Sequence, residues 1–241
     1  MTSSGSQQAS FEAEPKTLVE LAYRHLRKDI IEGRLLPGER LRVEHLKGQY
    51  KVSSGTLREA LTLLVADALV VVRGQRGAHV TPISLSDIED ITRTRILLET
   101  EALRQSLRAG DENWEGQLLI AFHHLTRAEE RLAANPGAGV SEWEERNRQF
   151  HQALIGGSPS HWIRHFLGIL FRQSERYRRL NIATSEVPRN VHAEHKDIFE
   201  AALARNEERA VELLTDHIYT TLDEIRRLPS EFFTEADAPS A

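Results

Sequence analysis

From Thr17 onward apolar residues recur at three- and four-residue spacing: Leu18, Leu21, Ala22, Leu26, Ile30 and Ile31, followed by Gly33. That period predicts an amphipathic helix with a glycine stop. Pro37-Gly38 then marks a turn, and Leu35, Leu36 and Leu41 around it tie the turn to a core. A short helix is expected over residues 42–50, with Val43 and Leu46 inward, and a longer one over 54–66, with Leu57, Leu61, Leu64 and Val65 inward. Only Lys51-Val52-Ser53 separates them. Two short helices joined so tightly must cross steeply, which is helix-turn-helix geometry. Ser54 or Thr56 is placed to cap the second helix. Next, Leu69-Val70-Val71-Val72 reads as a strand, Arg73-Gly74-Gln75-Arg76-Gly77 as a tip, and Ala78-His79-Val80-Thr81 as the returning strand before Pro82. This hairpin is either an ordinary surface element or a wing beside the helix pair.

After residue 84 the two-residue alternation disappears. Helical periods cover about 84–108, 112–134, 141–155, 160–182, 186–205 and 207–227, broken at Gly110, Asn135-Pro136-Gly137, Gly156-Gly157-Ser158-Pro159 and Asn206. The expected fold is therefore mainly α: an N-terminal winged helix-turn-helix and a C-terminal all-helical bundle. The domain division is a disordered arm over 1–15, a winged helix-turn-helix over 16–82, a helical effector-binding and dimerisation domain over 84–228, and a tail over 229–241.

Charge sharpens this division. Across 241 residues the formal net charge is −5, but residues 16–82 hold twelve Lys or Arg against seven Asp or Glu, and the remainder is acidic. A basic N-terminal third points to a polyanionic partner. There is no cysteine, so disulfides and thiolate metal sites are excluded. The polar start and the lack of an apolar run of about 18 residues predict a soluble cytoplasmic protein with no membrane partner.

The inward stripes of the bundle helices carry polar residues. Arg95 lies among Ile88, Ile91, Leu98 and Ala102; Asn147 and His151 lie one turn apart beside Trp143, Phe150 and Leu154; His195 sits between Val191, Ile198 and Ala202; His217 is flanked by Leu213, Ile218 and Leu222. Any one such histidine reads most simply as a satisfied core residue. Aimed inward together, three imidazoles, a carboxamide and a guanidinium need a partner. Convergent imidazoles suit a divalent transition metal such as zinc or nickel, and the arginine suits a carboxylate bound beside it. His192, close before His195, either supports that ring from behind or, as the expected reading, faces solvent.

Residues 17–82 resemble the winged helix of the GntR family of bacterial transcriptional regulators. The matching blocks are Ile31-Glu32-Gly33-Arg34-Leu35-Leu36-Pro37-Gly38-Glu39-Arg40-Leu41, Val52-Ser53, Leu57-Arg58-Glu59-Ala60-Leu61 and Arg76-Gly77-Ala78-His79-Val80. The resemblance implies DNA contacts from Arg58 and the polar residues at the start of its helix, with further contacts from the wing tip. The candidate DNA-binding residues are Arg42, Ser53, Ser54, Thr56, Arg58, Arg73 and Arg76. Two positions depart from the family: Ser54 stands where arginine is frequent, and Ala68 stands where glycine ends the recognition helix, which implies a different helix end.

Residues 87–225 similarly resemble the helical FCD ligand-binding domain of the FadR subfamily, through Arg95-Ile96-Leu97-Leu98-Glu99, Asn147-Arg148-Gln149-Phe150-His151, Glu194-His195, Ile198-Phe199-Glu200-Ala201 and Asp216-His217-Ile218. The resemblance implies His151, His195 and His217 as metal ligands and Arg95 as a clamp on a small carboxylate effector. Asn147 takes the place of an acidic ligand. The function expected is a homodimeric transcriptional regulator, a repressor, that binds double-stranded operator DNA under control of that effector. The competing readings are a histidine-metal hydrolase, against which no carboxylate is identifiable beside the histidines, and a helical interaction module with a structural metal.

Overall fold

The computed structural model describes residues 15–184 and 191–233. In chain order the elements are α1 (Leu18–Ile31), α2 (Val43–Tyr50), α3 (Ser54–Ala66), β1 (Val70–Val72), β2 (Ala78–Val80), α4 (Leu85–Ala109), α5 (Glu112–Ala134), α6 (Pro136–Leu154), α7 (His161–Thr184), α8 (Val191–Leu203) and α9 (Glu207–Arg226). The expected arm lies almost wholly outside the described residues.

Thr17 caps α1 by accepting the Glu20 N–H at 3.1 Å, and Gly33, at φ +74°, follows its end. α1, α2 and α3 bury Leu26, Leu46, Leu57 and Leu64 together with Leu69 and Val80 of the hairpin. Val65, expected inside, is exposed. β1 and β2 pair antiparallel with Val71 opposite His79. The Pro37-Gly38 turn feeds a stretch that runs along the other side of β2: Leu41 donates to the Ala78 carbonyl at 2.8 Å, and Val80 to that of Glu39 at 2.9 Å. The turn is thus fixed by backbone pairing as well as by its leucines.

The end of α3 corrects one expectation. Leu69 N–H reaches the Leu64 carbonyl at 3.0 Å and Ala68 N–H that of Val65 at 3.0 Å, the closure that normally uses a left-handed glycine. Ala68 adopts that conformation, at φ +56°. The helix end is therefore of the glycine type, with an alanine held in it.

The six remaining helices form the bundle. α6 begins at Pro136 rather than near residue 141. A proline at the first helical position lacks only an N–H that would have had no helical partner, so the Asn-Pro break starts a helix. α5 and α6 approach so closely that a Cβ on Gly139 would lie 2.9 Å from the Leu132 Cα. On α9 it is Leu214, not Leu213, that is fully buried, and on α4 Leu98 is half-buried. The expected start of α8 near residue 186 lies outside the described residues. Tyr177 is buried, accepts the Ser84 N–H at 3.1 Å and donates to Asp87 at 2.7 Å, which anchors the start of α4. The expected tail begins as structure: a 3₁₀ turn, Ser230–Phe232, places Phe232 and Phe233 against Ile88, Tyr177 and Ile225.

α7 also meets the winged helix. Arg172 pairs with Asp67 at 2.6 Å, Gln173 donates to the Asp67 carbonyl at 3.1 Å, and Arg176 donates to the Thr81 carbonyl. Among the described residues no helix is long and apolar enough to cross a membrane.

Candidate functional site

Two regions carry the predicted site residues. In the first, Ser53 precedes α3, and its hydroxyl accepts the Thr56 N–H at 3.1 Å and lies 2.9 Å from the Thr56 hydroxyl. The cap is therefore Ser53 and not Ser54 or Thr56, because the cap residue must stand one place before the first helical residue with extended backbone. Ser54 is left half-exposed and Arg58 exposed on the next turn. Arg42, also exposed, stands at the start of α2. Glu44, which the sequence reading did not single out, has its pKa lowered first by the Lys47 hydrogen bond and further by the Arg58 charge and the Ser54 hydroxyl. A carboxylate thus accompanies Arg58. In the hairpin, Arg73 precedes and Arg76 ends one 3₁₀ turn, Gly74–Arg76, with Arg76 exposed and Arg73 half-exposed. Exposed donors at a helix start and a paired-strand tip can contact phosphates and base edges.

The second region lies inside the bundle. His151 from α6, His195 from α8 and His217 from α9 are all buried, and one ring nitrogen from each lies within 4.8 Å of the others. Their ring centroids are 4.8 to 6.0 Å apart. Each Nδ1 meets a carboxylate: His151 with Glu99 at 2.6 Å, His195 with Glu129 at 2.7 Å, and His217 with Glu194 at 2.9 Å. A carboxylate accepts and does not donate, so Nδ1 carries the proton in each ring and leaves Nε2 as the nitrogen with the lone pair.

Electrostatics favours the same state. Burial drives the His151 pKa down to about 4, against the pull of Glu99, so the ring is neutral near pH 7. Burial opposes the Glu99 charge, but Arg95 and His151 outweigh it and hold the carboxyl down at about 2. His195 Nε2 and Asn147 Oδ1 are both buried without a hydrogen-bond partner. Leaving such groups unsatisfied costs about 1–3 kcal/mol each. Three convergent imidazole nitrogens form a donor set that suits a divalent transition metal, and the orphaned His195 Nε2 gives that set a physical reason.

Arg95 makes a contact that the sequence reading did not name. It is 5% exposed, and both its Nε and its Nη2 go to one oxygen of Glu99, at 3.2 and 2.9 Å. The other Glu99 oxygen holds His151. Arg95 also lies over the Phe171 ring at 5.0 Å. Its first contact is thus with the residue that orients His151. His192, expected to face solvent, shares Glu129 with His195, at 2.7 Å, and stacks on Phe122. The carboxylates beside the rings were also missed. Glu99 stands one turn after Arg95 and Glu194 directly before His195, which are weak signals; Glu129 sits on α5, which contributes no histidine to the cluster, and offers none.

Comparison with known proteins gives matches to two family models, to curated regulators and to solved structures. Residues 18–80 match the model for bacterial regulatory proteins of the gntR family, and residues 90–220 match the FCD domain. The chain is 48% identical over 215 residues to the uncharacterised HTH-type transcriptional regulator BphR of Paraburkholderia xenovorans, covering 89% of this chain and 88% of that one. It is 34% identical over 209 residues to the HTH-type transcriptional repressor GlaR of Escherichia coli, covering 85% and 94%. Among solved structures, McbR/YncC of E. coli aligns with a TM-score of 0.72 at 19% identity, over 88% of this chain and 99% of that one, a likeness of fold.

Proposed function

The chain belongs to the GntR family of bacterial regulatory proteins and is a DNA-binding transcriptional regulator with an FCD domain, and from that membership we propose how it works. It is a cytoplasmic repressor of the FadR subfamily. Two copies bind a two-fold operator, because one helix-turn-helix reads too few base pairs for adequate specificity. Ser54, Thr56 and Arg58 at the start of α3 face the major groove, with Ser53 setting the helix start, while Arg42, Arg73 and Arg76 contact phosphates or the adjoining groove.

The input is a small carboxylate held at the histidine centre. The observation that carries this reading is the set of three buried histidines with their Nδ1 atoms on carboxylates, beside the orphaned Asn147 Oδ1. His151, His195 and His217 would hold a divalent metal such as zinc or nickel, with Asn147 as a weaker fourth donor. Bound there, the metal supplies a positive centre for an anionic effector. Arg95 orients Glu99, which in turn holds His151, beside the effector. The three carboxylates sit on the Nδ1 side of the rings, where they orient them and not a water, which supports binding over hydrolysis.

Elemental analysis of the purified protein tests the centre. About one zinc or nickel per chain is expected in the wild type, with most of it lost in His195→Ala. Unchanged stoichiometry in that variant would overturn the three-histidine assignment. Calorimetric titration of the metal-loaded protein with small carboxylates then tests the effector class.

A further inference from the structure

Hydroxyls in the middle of helices usually return to the backbone. In this chain Thr62, Thr100, Ser106, Thr215, Thr220 and Thr221 each donate to the carbonyl four residues back. Ser174 of α7 is 3% exposed and, like Thr126 of α5, has no hydrogen-bond partner. A buried hydroxyl that declines the nearby carbonyl is free to meet something else in the interior.

The neighbouring contacts locate it. α6 and α7 pass each other with His151 beside Phe171, ring centroids 6.0 Å apart, and with Glu144 receiving Arg178 at 2.7 Å. These two contacts are seven residues apart on each helix, in opposite senses, so the helices run antiparallel. Midway between them lie Asn147 on α6 and Ser174 on α7. Asn147 Oδ1 and Ser174 Oγ are both buried, and neither bonds the other. Arg95 belongs to the same neighbourhood: besides burial, the charges of Glu99, Arg178 and Glu144 act on it.

Resting on the carboxylate-sensing reading above, we infer that Ser174, opposite Asn147, is a specificity residue that reads a hydroxyl group on the effector, about one helical turn (~5.4 Å) from the histidine centre. Charge decides for a hydroxyl over a second carboxylate. Arg95 is paired with Glu99, and Arg178 with Glu144, so the cations flanking Asn147 and Ser174 are already neutralised. A carboxamide and a serine hydroxyl match a neutral group that both donates and accepts. A second carboxylate would bring a net charge into a buried and balanced place. The effector class is then a short hydroxy-carboxylate, its carboxylate at the histidine centre and its hydroxyl between α6 and α7.

Calorimetry on the full-length, metal-loaded protein tests this, with butyrate, 3-hydroxybutyrate, 4-hydroxybutyrate and succinate as probes. At least one hydroxy-acid is expected to bind about five- to tenfold tighter than butyrate, the effect of one neutral hydrogen bond, and tighter than succinate. Ser174→Ala is expected to erase that margin while leaving butyrate affinity and metal content at wild-type values, the latter serving as the control for folding. A Ser174→Ala protein that keeps the preference would show that the hydroxyl serves only a structural water, and would overturn the inference. So would succinate binding tightest, or equal affinities in the wild type. Those results leave the carboxylate reading standing, whereas binding of none of the four acids removes both.

Discussion

Arg172 of α7 pairs with Asp67, the residue that ends the recognition helix, at 2.6 Å, and both side chains are more than four-fifths buried. The residue before it, Phe171, packs on His151 and under Arg95. One stretch of α7 therefore touches both the histidine centre and the end of α3. An effector can shift DNA binding only if it favours one arrangement of such a contact over another.

Arg172→Ala should loosen that joint. Removing a charged hydrogen-bond partner of this burial costs about 1–3 kcal/mol. Scanning calorimetry should show the winged helix melting earlier than the bundle, as a separate transition. A single transition at the wild-type temperature would mean that the pair does not hold the two parts together.

Ala68 occupies a backbone conformation that costs a residue with a Cβ about 1–2 kcal/mol. Ala68→Gly should recover about 1 kcal/mol of this, less the added freedom of glycine in the unfolded chain. Urea denaturation should move to a higher midpoint with unchanged slope, and DNA affinity should stay the same. A lower midpoint would show that the unfolded-state entropy wins.

Arg58→Ala should weaken binding to a duplex selected from a random library by about 1–3 kcal/mol and relax the preference at one base position. Arg76→Ala should weaken all duplexes alike and reduce the salt dependence of binding. Gel-shift titrations at several salt concentrations separate the two; unchanged affinity in Arg58→Ala would mean that α3 is not the reading helix.

Glu129 holds both His195 and His192 by their Nδ1 atoms. Glu129→Gln should weaken metal binding about 10–100-fold, the usual cost of losing a partner that orients a ligand. Asn147→Asp should act oppositely, since a carboxylate is a better ligand than an amide for a divalent cation. Competition with a chelator measures both, and equal affinities across wild type and variants would place Glu129 and Asn147 outside the centre.

Much of this architecture was legible from periodicity. The helix pair, the hairpin and the inward direction of His151, His195 and His217 follow from spacing alone, because a regular helix or strand fixes where each side chain points relative to its own axis. The carboxylates were less legible. Glu99, Glu129 and Glu194 look like ordinary polar positions, and nothing in their spacing says that each meets a particular imidazole on another helix. The link of His192 to Glu129 was illegible for the same reason: it runs between α8 and α5, while the His192 side chain stays 44% exposed, as expected.

The amino-acid sequence by itself determined which elements form, which faces are apolar, and that the N-terminal third is basic. Only the tertiary structure decided that Ser53 caps α3, that Ala68 takes a glycine's conformation, that Arg95 makes its first contacts with Glu99, and that Asn147 Oδ1 and Ser174 Oγ are buried without hydrogen-bond partners. Local order depends on neighbours a few residues away, whereas the tautomer of a buried histidine or the partner of a buried hydroxyl depends on groups brought together from different helices.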